Sequence, residues 1–301
     1  MRRREFVTLL GGAAVGWPVA ARAQQPVKLP TIGFLGTSTP SAWSYNVAFF
    51  VQRLYELGWI EGRNVAIEYR WAEGRSERFA EIAAEFVRIK VDVIVTSGGA
   101  VVAVKQATSV IPIVFAVAND PLGTGLVASL ARPGGNVTGL SNQASDLGAK
   151  RLELLREVVP SLHTLAIMAN VGYPAAALEM VEIQTTARTL GLEVATFEIR
   201  RAEDIAAAFE APKGRADALY VIGDPLVATN RIRINTLALV ARLPTMHTVQ
   251  DLLEGGGLMS YGPNYPDLFR RAADYVDKIC MAQSQPTSRL SSRPSSTSSS
   301  T

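Results

Sequence analysis

Five short stretches hold the residue types that could grip or transform a small molecule. They are Gly36-Thr37-Ser38-Thr39-Pro40-Ser41-Ala42-Trp43, Thr96-Ser97-Gly98-Gly99-Ala100, Ala118-Asn119-Asp120-Pro121, Ala169-Asn170-Val171-Gly172-Tyr173-Pro174 and Gly223-Asp224-Pro225. Hydroxyls, amides and glycines dominate them, with two acids and two large aromatics. Small hydroxyls and main-chain N–H groups at helix starts bind a carboxylate without a buried cation. Asp120 or Asp224 would receive an ammonium group, and Trp43 or Tyr173 would cover a flat apolar moiety. Each stretch alone has a plainer explanation, because Ser, Thr, Asn and Asp cap helices and Asp-Pro pairs make turns. Five of them at equivalent places carry more weight than any one. The candidate ligand-binding residues are therefore Thr37, Ser38, Ser41, Trp43, Ser97, Gly98, Gly99, Asn119, Asp120, Asn170, Tyr173 and Asp224.

Catalytic patterns are missing. Ser97 lacks the Gly-x-Ser-x-Gly elbow, and neither His163 nor His247 stands in a triad pattern. No P-loop and no Gly-x-Gly-x-x-Gly follows a strand; Gly255-Gly256-Gly257 precedes one and reads as a turn. His247 lies in an apolar run, as a packed and hydrogen-bonded residue would. One cysteine and two well-separated histidines exclude a disulfide framework, a cysteine-clustered zinc site and a His-rich metal site. Cys280, at the end of a helix far from the five stretches, reads as a packing residue. Capture rather than catalysis is expected, with no cofactor.

The elements that must position these stretches alternate regularly. Thr31–Leu35 is a short apolar run closed by Gly36, as in a buried parallel strand. Val47, Phe50, Leu54 and Leu57 recur at helical spacing until Gly58. Further strands are expected at 65–69, 92–96, 113–116 and 137–140, with helices over 77–89, 100–108 and 123–131 between them. The rhythm restarts with a helix over 146–159, a strand at 165–168 and a helix over 175–190. Strands at 194–199, 219–222, 245–247 and 258–261 complete it. Ten such units imply parallel sheets covered by helices on both faces, split into two sheets of about five. Ligands then belong beyond the carboxyl ends of the strands, where all five stretches fall.

Composition agrees. Of 301 residues, 48% are hydrophobic and 19% charged, a globular balance. No apolar run approaches the ~18–20 residues that cross a bilayer as a helix. The net charge of +3 resides in residues 1–23, where Arg2, Arg3, Arg4 and Arg22 outweigh Glu5. The remainder is balanced, so a basic footprint for nucleic acid is absent. Residues 1–23 read as an export signal: a charged start, an apolar stretch from Val7 to Ala20, and Ala21-Arg22-Ala23 for cleavage. Arg3-Arg4-Glu5-Phe6-Val7 is similar to the twin-arginine motif. Twelve of the twenty-one residues from 281 to 301 are Ser or Thr, and this stretch is expected to be disordered.

Several ordered motifs resemble one family. Leu57-Gly58-Trp59-Ile60-Glu61-Gly62-Arg63-Asn64-Val65, Ile67-Glu68-Tyr69-Arg70-Trp71-Ala72-Glu73-Gly74, Ile111–Phe115 with Asn119-Asp120-Pro121, and Arg132-Pro133-Gly134-Gly135-Asn136-Val137-Thr138-Gly139 are similar to the substrate-binding proteins of ABC transporters. The branch is that of tryptophan and tyrosine uptake proteins. The resemblance spans about Pro30 to Ile279. It implies the type I periplasmic-binding fold: two doubly wound parallel-sheet lobes joined by a hinge, with solute held between them. It also implies ligand contacts after the first strand, at Thr96–Gly99, around Asn119-Asp120, and near Asn170, Tyr173 and Asp224. Relatives continue past the helix ending at Cys280 with a further strand and helix, where this chain carries its Ser/Thr-rich stretch.

The expected organisation is an export signal (1–23), lobe one (27–140 plus 264–280), lobe two (141–263) and a tail (281–301). The expected function is capture of a small carboxylate-bearing solute, an amino acid or aromatic acid, in the periplasm. Delivery would be to an inner-membrane ABC permease, by a monomer that binds no nucleic acid. A sensor presenting its closed form to a membrane receptor would use the same lobes, and an enzyme in the same cleft would require turnover.

Overall fold

The structure, a computed structural model, describes residues 28–119, 121–122, 125–127, 129, 134–142, 147–210 and 216–284. The export-signal reading (1–23) and the tail reading beyond Ser284 concern residues outside this set. Among the described residues no helix is long and apolar enough to cross a membrane.

The first half of the chain runs β1 (Thr31–Gly36), α1 (Pro40–Glu56), β2 (Ala66–Trp71), α2 (Arg78–Ile89), β3 (Val93–Ser97), α3 (Ala100–Ala107), β4 (Ile113–Asn119) and β5 (Val137–Asn142). All its strand pairs are parallel, in the order β2-β1-β3-β4-β5. The central strands β1 and β3 are almost wholly buried, which is why they read as unbroken apolar runs. A helix expected over 123–131 is not found where that stretch is described. Gly125 takes φ +67°, and the Val127 N–H reaches back to the Pro121 carbonyl at 3.1 Å. Buried Leu126 and Val127 thus pack from an irregular turn.

The second half runs α4 (Leu147–Val158), β6 (Thr164–Asn170), α5 (Pro174–Thr189), β7 (Glu193–Ile199), α6 (Asp204–Glu210), β8 (Ala218–Val221), α7 (Pro225–Thr229), α8 (Arg231–Val240), β9 (Thr245–His247), a 3-10 turn (Gln250–Leu253) and β10 (Met259–Ser260). Its sheet is also parallel, in the order β7-β6-β8-β9-β10. The two sheets are therefore wound identically. Gly255 and Gly256, both at positive φ, turn the chain toward β10, as expected.

The final helix α9 (Tyr265–Ser284) returns to the first sheet and continues four residues past Cys280. Its Phe269, Ala272, Ala273, Val276 and Cys280 join Trp43, Phe50 and Leu54 of α1 on one face of that sheet. The opposite face packs against α2 and α3. In the second sheet, α4 and α5 cover one face, and α6, α7 and α8 the other. Each lobe is a three-layer sandwich with its own core.

Candidate functional site

In a sheet ordered 2-1-3-4-5, the helices change sides between the first and third strands, leaving a crevice at their carboxyl ends. Both lobes have this crevice, and the two face each other. Thr37 follows β1 and Ser97 ends β3; Tyr173 follows β6 and Asp224 follows β8. These four, with Trp43 and Gly98, line a single cavity between the lobes. Its volume is about 90 Å³, taken as the space open to the centre of a water molecule.

Asp224 dominates the chemistry. It is the N-cap of α7: its Oδ1 accepts the Val227 N–H at 2.7 Å, and Pro225 supplies the preset first helical residue. Its Oδ2 accepts the Asn170 side-chain amide, while Asn170 Oδ1 accepts the Gly172 N–H at 3.0 Å. Asn170 thus faces Asp224 and fixes its orientation. Burial pushes the Asp224 carboxyl up to about 6, against the Val227, Asn170 and Leu226 donors that favour its charged form. Among the described residues no other charged side chain lines the cavity.

Tyr173 spans the two lobes. Its phenolic oxygen accepts the Gly99 N–H at 2.8 Å, which leaves the hydroxyl proton to donate elsewhere. Burial is the main cause that pushes this phenol up and keeps it neutral, with the Gly99 N–H pulling the other way. Trp43 stands edge-on to Phe269 at 5.1 Å and to Phe34 at 6.4 Å. It is a wall anchored in the core of lobe one.

Two more contacts join the lobes beside the cavity. Ser38 and Thr229 hydroxyls lie 2.8 Å apart. Thr229 already donates its one proton to the Pro225 carbonyl, so Ser38 is the donor. Asn46 of α1 donates its amide to Asp251 of the 3-10 turn. Gly74, at φ +78°, lies so near α7 that a Cβ there would come within 3.1 Å of the Pro225 carbonyl oxygen and 3.0 Å of Thr229 Oγ1.

The remaining candidates fall elsewhere. Ser41 is exposed and bonds Thr39, whose side chain caps α1. Ser38 and Gly99 serve the contacts between lobes, and Asn119 closes β4. Asp120 lies outside the described residues. Sequence reasoning missed Val117, Ala228, Val249, Leu252 and Tyr265, which also line the cavity. Val249 and Leu252 follow β9, so the strand-end rule would have found them had it been applied to that strand. His247 is packed as expected, but neither ring nitrogen has a hydrogen-bond partner among the described residues, and burial pushes it down to about 4. Among the described residues no cluster of His, Cys, Asp or Glu could hold a metal ion.

Two identically wound lobes, with a polar cavity between facing strand ends, define a two-lobed solute-binding protein of the type I periplasmic fold. Residues 41–288 match the ABC transporter substrate binding protein family, and the chain belongs to it. It is 27% identical over 236 residues to a tyrosine-binding protein of Clostridioides difficile (strain R20291), covering 78% of this chain and 68% of that one. A crystal structure of a conserved domain protein from Vibrio cholerae is 26% identical, with a TM-score of 0.76 and 86% of each chain covered. An ABC domain from Streptococcus pneumonia, solved in complex with L-Trp, shares the fold at 24% identity and a TM-score of 0.72. That match covers 83% of this chain and 85% of that one. Family membership makes a small-molecule ligand and a transporter permease the partners.

Proposed function

We propose that the protein captures a zwitterionic amino acid of the tyrosine class and hands it to the membrane permease, acting as a monomer in the periplasm. The observation that carries this reading is the single charged side chain that the described residues bring to the cavity. Asp224 is 7% exposed, and beyond the Asn170 amide and the Val227 and Leu226 N–H groups its carboxylate keeps a lone pair for an ammonium group. The Thr37 and Ser97 hydroxyls and the Tyr173 proton would receive the carboxylate. Trp43, Tyr173 and Tyr265 would flank the side chain. Similarity to a tyrosine-binding protein supports the same class. The cavity is several times the ~10–15 Å³ that one water occupies on this scale, which suits a single amino acid.

Charge-assisted buried hydrogen bonds contribute roughly 1.5–3 kcal/mol each, so an ammonium on Asp224 should govern selectivity. Titration calorimetry with L-tyrosine, its deaminated analogue 3-(4-hydroxyphenyl)propionate, tyramine and glucose tests the reading. L-tyrosine should bind, the deaminated acid about ten- to a hundredfold more weakly, and glucose not at all. Binding of glucose with none of L-tyrosine would overturn it. A cytoplasmic location of the full-length chain, by cell fractionation, would contradict the periplasmic part.

A further inference from the structure

Arg151 of α4 is 1% exposed, and its guanidinium serves the ends of strands rather than the cavity. Its Nε donates to the Tyr261 carbonyl at 2.6 Å, and its Nη1 to the Tyr220 hydroxyl at 2.9 Å and to Glu179 Oε1 at 3.1 Å. Its Nη2 points at the Thr248 carbonyl, 3.5 Å away. Burying a guanidinium is costly, and a pair with one carboxylate seldom recovers that cost. Here the fork is spread over two main-chain carbonyls, and those carbonyls have a common place. Thr248 follows β9, and Tyr261 follows β10 as the first residue of the segment that leaves lobe two for α9.

The same segment has no slack. A Cβ on Gly262 would lie 1.9 Å from the Thr248 carbonyl oxygen and 3.6 Å from Arg151 Nη2. The returning segment of the hinge is thus pressed against the loop after β9, with Arg151 alongside. Three residues further on, Tyr265 packs against the cores of both lobes. Arg151 itself sits in the first turns of α4, the first helix of lobe two. One side chain therefore joins the element that opens lobe two to the segment that closes it.

We propose that Arg151 is a positioning residue for lobe closure: its guanidinium fixes the departure of the chain at Tyr261–Gly262 and, through it, the angle at which the two lobes meet. This role is independent of which solute the cleft takes.

The test reads the distance between lobes without any solute. The full chain receives spin labels at Gln106→Cys on α3 and Arg188→Cys on α5, both exposed; Cys280, 1% exposed, is spared under native labelling. In R151M the interlobe distance distribution should at least double in width. In R151K, which keeps the charge and loses the fork, it should widen less. L155A, a cavity in the same helix, should lower the melting temperature and leave the width unchanged. A folded R151M with the parental width would overturn the proposal, as would equal broadening in L155A. Should R151M not fold, G262A decides, because it displaces the departing segment with Arg151 intact. Broadening is expected there, and an unchanged width contradicts the role.

Discussion

Among the described residues, lobe one meets the cleft with neutral groups: the Thr37 and Ser97 hydroxyls, Val117 and the Trp43 ring. Lobe two meets it with Asp224, held by Asn170 and the start of α7. The contrast extends inward. Beneath the cleft, lobe one is aromatic, with Phe34 surrounded by Trp43, Phe50, Tyr69, Trp71 and Phe269. Lobe two buries titratable groups instead: His247, Asp224, and Arg151, which pairs with the half-buried Glu179. Identical winding thus supports, among the described residues, a neutral, aromatic-backed wall on one side and a charged, hydrogen-bonded wall on the other. In the proposed function, the charged wall selects and the neutral wall closes.

The largest expected effect comes from erasing that difference at one atom. Asp224→Asn keeps an oxygen to cap the Val227 N–H but turns an NH2 toward the Asn170 amide, so stability at pH 7 should change by about 1–2 kcal/mol. Affinity for L-tyrosine should fall about ten- to a hundredfold, measured by calorimetry. Equal affinity in the variant would remove the charge from the account.

Acid titration separates the groups within lobe two. Asp224 is raised in the folded state, so its contribution is fully present below its unfolded value near 3.8 and is lost as pH rises through about 6. His247 is lowered, so its contribution is present above 6.5 and is lost as pH falls toward about 4. Between pH 7 and 4.5 the two oppose each other, each by on the order of 2 kcal/mol. Relative to the parent, His247→Leu should gain stability on acidification and Asp224→Asn should lose it. Denaturant melts across this range check the signs, and parallel curves for all three proteins would refute both assignments.

A smaller effect tests the neutral wall. Gly74→Val should hold lobe one away from Pro225 and Thr229 and weaken L-tyrosine binding by about tenfold, near 1.4 kcal/mol. Gly62 has nearly the same backbone, φ +77°, but open space around its Cβ. Gly62→Val therefore carries the strain without the wedge and should bind as the parent does. Equal weakening in both would mean strain, not closure, is being measured.

Much of this architecture was legible before the structure. Apolar runs and alternation located all ten strands, because inner parallel strands buried on both faces read as plain apolar runs and half-buried edge strands alternate. The places of Thr37, Ser97, Tyr173 and Asp224 beside the cavity were legible because strand ends at a winding switch must face a crevice. Local pattern could not show that Asn170 would bond Asp224, 54 positions later. Nor could it show that the Gly99 N–H would meet the Tyr173 hydroxyl from the other lobe, in a gap where a Cβ on Gly99 would lie 3.0 Å from that oxygen. Tyr265 reaches the cleft only because the chain crosses back into lobe one. Arg151 passed as one more polar residue of a helix, since its partners Tyr220, Thr248 and Tyr261 come together only in the folded sheet.

The central claim is that Asp224 receives the ammonium of the solute, and proton release measures it most directly. Burial holds free Asp224 up at about 6, so near that pH part of it carries a proton that must leave for it to pair with an ammonium group. Calorimetry of L-tyrosine in two buffers of different ionisation enthalpy should give net proton release at pH 6, falling to nearly none at pH 8. Binding with no proton release at pH 6, or with uptake, would contradict the account.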